Sequence, residues 1–199
     1  MDHTKVPMAG YMQENGDYLK GIEDYLPKSQ YTREAHQCTV VEDILNNWAT
    51  LSHGNKFHGI FATSSIPEAI QYYKLFKAKG KLKVTALFDP TIDNNGNAEY
   101  KEDGIVEIIE DYNACYGMKF QMSTYATFKK DISYRLAHKE QYKAIENTPD
   151  QQIDLLIVVD QMLTGFDSKW INTLYLDKIL VQEKLIQAFS RTNLSLIHI

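Results

Sequence analysis

The sequence predicts an α/β fold in which helices flank a largely parallel sheet. The clearest strand is Asp154–Asp160, whose apolar run Leu-Leu-Ile-Val-Val is continuous rather than alternating, as expected for a parallel strand that is covered on both faces. A second indication is a strand, a helix and another strand that follow one another between positions 57 and 89. Such a unit needs a crossover connection, which we expect to be right-handed.

The first elements are read from composition and spacing. Residues 1–33 are polar and interrupted by glycine and proline, which predicts an extended lead-in or linker with room for one short helix. Apolar residues then recur at helical spacing from Arg33 to Leu51, which predicts an amphipathic helix. The β-leaning run Phe57–Thr63 follows as a strand.

The next helix, Glu68–Lys79, has recognisable ends. Pro67 suits a first helical turn, Ser65 or Ile66 is the expected cap, and Gly80 ends the helix. The remaining elements are predicted from periodicity and apolar runs. They are strand Lys83–Asp89, a turn-rich insert at 90–102, helices Ile105–Tyr116 and Phe128–Tyr142, strands Asp154–Asp160 and Thr173–Asp177, and helix Leu180–Arg191.

The composition is that of an ordinary globular protein, with 44% hydrophobic and 24% charged residues. It argues against a disordered, collagen-like or disulfide-rich chain. The net charge of −5 argues against a globally basic nucleic-acid-binding protein. Cys38 and Cys115 lack the spacing of a zinc site or a disulfide framework. Because the sequence has neither a signal-peptide core nor a membrane-spanning apolar run, we expect a cytoplasmic protein without membrane contact.

Candidate ligand-binding residues follow the predicted strands, because ligands of parallel sheets meet the loops at the carboxyl ends of the strands. The three polar ends are Thr63–Ser65, Asp160–Asp167 and Asp177–Lys178. In the second, Thr164 can hydrogen-bond a phosphate or ribose, Gly165 lets the backbone approach a ligand, and Asp167 can accept from a hydroxyl or guanidinium. The alternative is a polar loop in which Asp167 only caps a helix.

The last predicted helix contains an arginine that could bind a phosphate group. Gln187 and Arg191 are four residues apart and project from one face, and a planar guanidinium binds phosphate oxygens in a bidentate manner. The alternative is an ordinary exposed pair. The lysine-rich stretch Lys74–Lys83 leaves a similar choice, between a track for a phosphate backbone and a solvated helix face.

Two kinds of site are not predicted. The histidines are scattered and no pair has metal-ligand spacing on a shared helix, so we predict no metal site. They include His36, His53, His58 and His138. The sequence also lacks a GxxxxGK[ST] phosphate loop and an Asp-Glu acidic box. A nucleotide would therefore find only half of its site in this chain.

Five blocks of sequence resemble one protein family. They are Phe57–Ser65, Asp131–Leu136, Asp154–Asp167, Thr173–Lys178 and Leu185–Asn193. Together they resemble the motor (R) subunits of type I restriction enzymes, over most of positions 30 to 193. The resemblance implies that residues 34–193 form a RecA-like lobe, the second lobe of a superfamily 2 helicase motor, without the P-loop of the first lobe.

The resemblance implies DNA contacts for four residues. Thr63, Ser64 and Ser65 match motif IV, which lies towards the DNA path in these motors. Thr164 matches motif V, which touches the DNA backbone and the nucleotide and couples the two.

The resemblance also implies a half-site for ATP. Gly165 and Asp167 belong to the same motif V and are expected at the nucleotide. Gln187 and Arg191 match motif VI, whose arginines reach the γ-phosphate, so they are the expected catalytic residues and Arg191 also contacts the nucleotide. The first lobe would supply the rest of the ATP site. Mg²⁺ is expected in the whole enzyme, without ligands from this chain.

The implied function is ATP-dependent translocation of double-stranded DNA coupled to DNA cleavage. The implied partners are the DNA, the first lobe, and the methylation and specificity subunits. Two alternatives stay open: a lobe of another superfamily 2 helicase, or a stand-alone non-catalytic nucleic-acid-binding module. Because one lobe and the second arginine of motif VI are missing, with Leu194 in its place, we expect no activity from this chain alone. Residues 194–199 fit nothing in the family, and we expect them to be a non-native tail.

Overall fold

A computed structural model describes residues 10–25, 33–89, 98–159, 168–176 and 195–198. The chain divides into two compact units, residues 1–37 and 38–199. Within the described ranges, no helix is long and apolar enough to cross a bilayer.

The first unit contains a short antiparallel hairpin of strands β1 (Tyr11–Met12) and β2 (Tyr18–Leu19). Its turn is closed by a hydrogen bond from the Gln13 amide to the Asp17 carbonyl oxygen, and Gly16 supplies the positive φ of 86° that the turn requires. A 3₁₀ helix follows at Ile22–Tyr25. The sequence predicted a lead-in with room for a short helix and missed the hairpin, because strands of two residues have no readable alternation.

The second unit is built on a parallel sheet. Its strands are β3 (His58–Thr63), β4 (Val84–Leu87), β5 (Leu155–Val159), β6 (Ile171–Leu176) and β7 (Ser195–His198). They lie in the order β4-β5-β3-β6-β7, and all four pairings are parallel. The predicted parallel α/β sheet is therefore confirmed. Strands β3 and β4, predicted as one strand–helix–strand unit, are not neighbours, because β5 lies between them.

The helices are α1 (Glu34–Leu51), α2 (Ile66–Lys79), α3 (Ala98–Tyr116) and α4 (Tyr125–Ala137). The first two agree with the prediction. Helix α3 begins at Ala98 rather than Ile105, since residues 98–102 are mostly good helix formers despite the turn-rich sequence before them. Helix α4 ends before the predicted Tyr142, because His138 adopts a left-handed conformation with φ 50° and its amide bonds back to the last turn.

Two further predictions concern the C-terminal part of the chain. The predicted helix Leu180–Arg191 lies outside the described residues. Strand β7, at Ser195–His198, falls within the stretch predicted to be a non-native tail, and it pairs with the outer edge of β6. The origin of that stretch stays a prediction.

The central strands are buried on both faces. Every residue of β3 and β5 is buried, which accounts for the continuous apolar run in β5. Phe61 of β3 packs edge-on against Tyr72 of α2, with ring centroids 4.7 Å apart. Burial of each large apolar side chain of this kind contributes roughly 1.5–3 kcal/mol.

Four consecutive carbonyl oxygens before β5 each accept a hydrogen bond, from donors in α4, α3 and β3. The donors are the Arg135 guanidinium to Gln151 at 2.7 Å, the Tyr116 hydroxyl to Gln152 at 3.0 Å, the His58 Nδ1 to Ile153 at 2.5 Å, and the Gly59 amide to Asp154 at 3.0 Å. The Asp154 carboxylate also accepts from the Lys83 amide at 2.8 Å. These bonds fix where β5 begins, and hence its register with β3 and β4.

The first of these donors belongs to a buried ion pair. The Arg135 Nε lies 3.2 Å from Asp131 Oδ2, and the two side chains are only 1% and 6% exposed. Asp131 also accepts from the hydroxyls of Tyr112 and Tyr142, both at 2.6 Å. Burial raises the pKa of Tyr142 to about 12, so its hydroxyl stays protonated and donates at neutral pH. The guanidinium carbon lies 4.0 Å from the ring centroid of Tyr116.

A second buried pair joins two histidines at the amino end of the sheet. Since a carbonyl oxygen only accepts, the His58 Nδ1 must donate to Ile153, and its Nε2 then accepts from the His138 Nε2 at 2.9 Å. The His138 Nδ1 is buried without a hydrogen-bond partner in the described part of the chain. Burial lowers the pKa of both rings, that of His58 to about 4. Both histidines are therefore neutral at pH 7.

We predict that the histidine pair makes the folded chain sensitive to mild acid. The folded-state pKa of His58, about 4, lies below its ordinary value of 6.5, so protonation favours the unfolded chain. Stability is therefore full above pH 6.5 and falls as the pH drops towards 4. Between pH 7.5 and 5.5 the free energy of unfolding, measured with urea, should fall by about 1 kcal/mol or more.

The control for this experiment uses another histidine in the same backbone conformation. His53 has φ 52° and His138 has φ 50°, and asparagine tolerates both. The double variant His58→Asn/His138→Asn should lose most of the pH dependence, whereas the exposed His53→Asn should keep it. An unchanged slope in the double variant would contradict the assignment.

Candidate nucleic-acid and nucleotide interface

The carboxyl edge of the sheet gathers the strand ends that precede the candidate residues. Thr63, the last residue of β3, is the register partner of Val159 at the end of β5. Its neighbour Ala62 is the partner of Leu176 at the end of β6. The segments beginning at 64, 160 and 177 therefore leave the sheet from three adjacent strands.

Most of the predicted site residues lie outside the described part of the chain. They are Thr164, Gly165, Asp167, Gln187 and Arg191. Their roles stay predictions. Thr63, Ser64 and Ser65 are described, and they have three different environments.

The Thr63 side chain is part of the sheet. It is fully buried, and its hydroxyl lies 3.3 Å from the Val158 carbonyl oxygen and 3.4 Å from that of Ser65. This hydroxyl ties the end of β3 to β5. The predicted contact of the Thr63 side chain with DNA is not supported in this conformation, because neighbouring strands surround it.

Ser65 and Glu68 cap helix α2. Ser65 is the N-cap residue, and its hydroxyl accepts from the Glu68 amide at 3.4 Å. The Glu68 carboxylate in turn accepts from the Ser64 amide at 2.7 Å. The pattern Ser-x-x-Glu signals a capping box, and here the carboxylate bonds to the amide one residue before the N-cap. Glu68 could therefore have been found from the sequence, but it was not among the predicted residues.

Ser64 is the member of this group whose side chain is exposed. Its amide is occupied by Glu68, so the hydroxyl is the group it can offer to a ligand. Glu68 also places a negative charge at the start of α2, where the helix N-terminus would otherwise attract a phosphate. The described part of this edge, between β3 and α2, therefore presents a neutral hydroxyl rather than a strong anion site.

The lysine-rich stretch is an ion-paired helix face. Lys77 contacts Glu107 at 3.0 Å and Asp111 at 2.5 Å, and Lys79 contacts Glu42 at 3.0 Å. These acids raise the pKa of Lys77. The structure favours the predicted alternative of a solvated face over a phosphate track, because nearby carboxylates neutralise these cations.

A cleft of about 280 Å³ lies beside this face, where α2 ends and β4 begins. Its lining includes Tyr73, Lys77, Asp111 and Cys115. The Tyr73 hydroxyl donates to Asp111 at 2.6 Å, so the acid in the cleft already has partners. Among the described residues, no group of three or more histidine, cysteine or acidic side chains is arranged to hold a metal ion.

Comparison with known proteins identifies the family. Residues 55–196 match the family model described as type I restriction enzyme subunit R domain 3. The chain belongs to the family of type I restriction enzyme R subunits. The matched region contains the whole parallel sheet except the end of β7, so the carboxyl edge described above lies within it.

The similar R subunits are much longer than this chain. An endonuclease subunit of a type I restriction enzyme from Staphylococcus aureus strain MRSA252 is 38% identical over 163 residues, which is 77% of this chain and 17% of that protein. A counterpart from Staphylococcus saprophyticus is 36% identical over 164 residues, with the same coverage of each chain. Among solved structures, Dbp5 of S. cerevisiae bound to RNA and ADP BeF3 aligns over 84% of this chain and 33% of its own, with 13% identity and a TM-score of 0.42.

We predict that adjacent serines at this edge differ in their effect on stability. Ser65→Ala removes the cap of α2 and should lower the free energy of unfolding by about 1 kcal/mol. Ser64→Ala removes an exposed hydroxyl and should change it by less than about 0.5 kcal/mol. Urea unfolding of the two variants measures both values. Equal losses would contradict the division between a capping and an exposed serine.

Proposed function

We propose that this chain is the second RecA-like lobe of the motor in a type I restriction enzyme R subunit. In the whole subunit it takes part in ATP-dependent translocation of double-stranded DNA, which is coupled to DNA cleavage. The observation that supports this most strongly is the register of β3 with β5 and β6. The predicted DNA contact Ser64 follows β3, and Thr164, Gly165 and Asp167 follow β5. Gln187 and Arg191 belong to the helix that is predicted after β6.

The proposed DNA contacts are Ser64 and Thr164. Ser64 is exposed at the carboxyl edge, whereas Thr63 and Ser65 support it from the sheet and from the start of α2. A hydroxyl donates to a phosphate oxygen without adding charge, so it positions the duplex and contributes little to the salt-dependent affinity. Most of that affinity would come from other parts of the R subunit.

The proposed nucleotide contacts are Gly165, Asp167, Gln187 and Arg191. In phosphoryl transfer the protein supplies mainly position and charge stabilisation. Arg191 would act on the γ-phosphate of an ATP held by the first lobe, which would also supply the Mg²⁺ ligands. This chain would therefore hydrolyse ATP only as part of the whole subunit.

The proposed assembly follows from the family. The lobe would work with the first lobe of the same subunit, and with methylation and specificity subunits, in the cytoplasm. Matches to R subunits over 77% of the chain favour this assembly over the lobe of another superfamily 2 helicase. They also favour it over a stand-alone nucleic-acid-binding module.

Replacement of Arg191 in a full-length R subunit tests the proposed function. Arg191→Ala should lower the DNA-stimulated rate of ATP hydrolysis by about 10³-fold or more, because an arginine finger stabilises charge in the transition state. The exposed Arg33→Ala is the matched control and should keep the rate of the unchanged subunit. Hydrolysis by Arg191→Ala at the control rate would refute the role of motif VI.

A further inference from the structure

An aromatic and basic surface lies at the amino edge of the sheet, opposite the candidate interface. We call it the Phe57–Trp170 patch, and its members are His53, Lys56, Phe57, Lys169 and Trp170. Phe57 directly precedes β3 and Trp170 directly precedes β6, which are neighbouring strands. The two rings are 6.3 Å apart between centroids and tilted by 38°. They are separated from Ser64 by the length of β3, roughly 20 Å.

Ring contacts and backbone hydrogen bonds fix the positions of the two rings of the patch. Trp170 stacks on His138 with centroids 4.1 Å apart and an angle of 15° between the planes. The Trp170 carbonyl oxygen accepts from the His58 amide at 2.8 Å, and its own amide donates to Ser168 Oγ at 3.1 Å. The Phe57 ring meets His53 edge-on at 5.5 Å. Both rings remain partly exposed, so part of each fixed ring is accessible to solvent.

A lysine lies over each ring of the patch. The Lys56 Nζ lies 5.5 Å from the Phe57 centroid, and the Lys169 Nζ lies 5.2 Å from the Trp170 centroid. Neither lysine forms an ion pair with a residue in the described ranges, whereas Lys77 and Lys79 do. Burial lowers the pKa of His138, Glu146 opposes that effect, and Lys169 adds to it. The two lysines of the patch therefore differ from Lys77 and Lys79, whose charges are balanced by nearby acids.

We propose that the Phe57–Trp170 patch binds single-stranded nucleic acid. A single strand combines a flat base with a phosphate at every nucleotide, and the patch combines two fixed rings with a lysine ammonium group over each, which can swing aside to a phosphate as a base stacks. Bases stack on aromatic rings whatever their sequence, and lysines contact the phosphates. This site is separate from the proposed duplex contact at the carboxyl edge and does not depend on ATP.

The test is a titration of the 199-residue chain with a fluorescein-labelled oligothymidylate, followed by anisotropy and by tryptophan emission. Trp48 is buried, so stacking of a base should quench the emission of Trp170. We expect saturable binding at low salt that is accompanied by this quenching. Lys56→Ala/Lys169→Ala should weaken binding at least tenfold. The slope of log affinity against log salt should become shallower by about 1.4, since each phosphate contact on a single strand contributes about 0.7.

A matched control separates the patch from general surface charge. Lys81 and Lys130 are also exposed, and the Lys130 Nζ lies 5.4 Å from the Tyr134 ring centroid, so it also forms a lysine–aromatic contact. Lys81→Ala/Lys130→Ala should bind like the unchanged chain. The proposal is overturned by absence of saturable binding at low salt, by equal weakening in both double variants, or by binding without quenching of Trp170.

Discussion

The start of β5, at the amino edge of the sheet, is anchored by a buried ion pair, Asp131 with Arg135. Arg135 holds the Gln151 carbonyl oxygen, the first of four consecutive carbonyls that fix where β5 begins. A buried ion pair is not strongly stabilising by itself, but loss of one partner leaves an uncompensated charge in the interior. Here Asp131 is also satisfied by two tyrosine hydroxyls. The pair therefore specifies one arrangement of α3, α4 and β5 rather than simply adding stability.

The two edges of the sheet differ in chemistry because different side chains lie at them. In the described part of the carboxyl edge, Thr63 bonds to β5 and Ser65 caps α2, so Ser64 is the exposed one of the three. At the amino edge the buried histidine pair supports Trp170, and Lys169 lies above that ring without a carboxylate partner in the described ranges. A chain with a net charge of −5 can thus present a local basic surface.

The sequence predicted those elements whose formation depends on neighbouring residues in the chain. The continuous apolar run of β5 and the signals Ser65, Pro67 and Gly80 around α2 gave elements that the structure confirms. Contacts between distant residues were not predictable in this way. His58 and His138 are 80 positions apart, and no spacing rule joins them. The block Asp131–Leu136 contributed to the family resemblance. Its structural role depends on other segments, which supply the tyrosines that bond to Asp131 and the carbonyl oxygen that accepts from Arg135. The lysine-rich stretch could not be interpreted until its carboxylate partners were known.

The most direct measurement is the free energy of unfolding of Asp131→Asn, combined with hydrogen exchange of the β5 amides. The variant removes the carboxylate charge and leaves the Arg135 guanidinium buried, so we expect a loss on the order of 3 kcal/mol or more and faster exchange in β5. The control is Glu107→Gln, which breaks exposed ion pairs and should cost about 1 kcal/mol or less. If Asp131→Asn loses no more stability than the control and β5 stays protected, the ion pair does not hold the sheet edge in place.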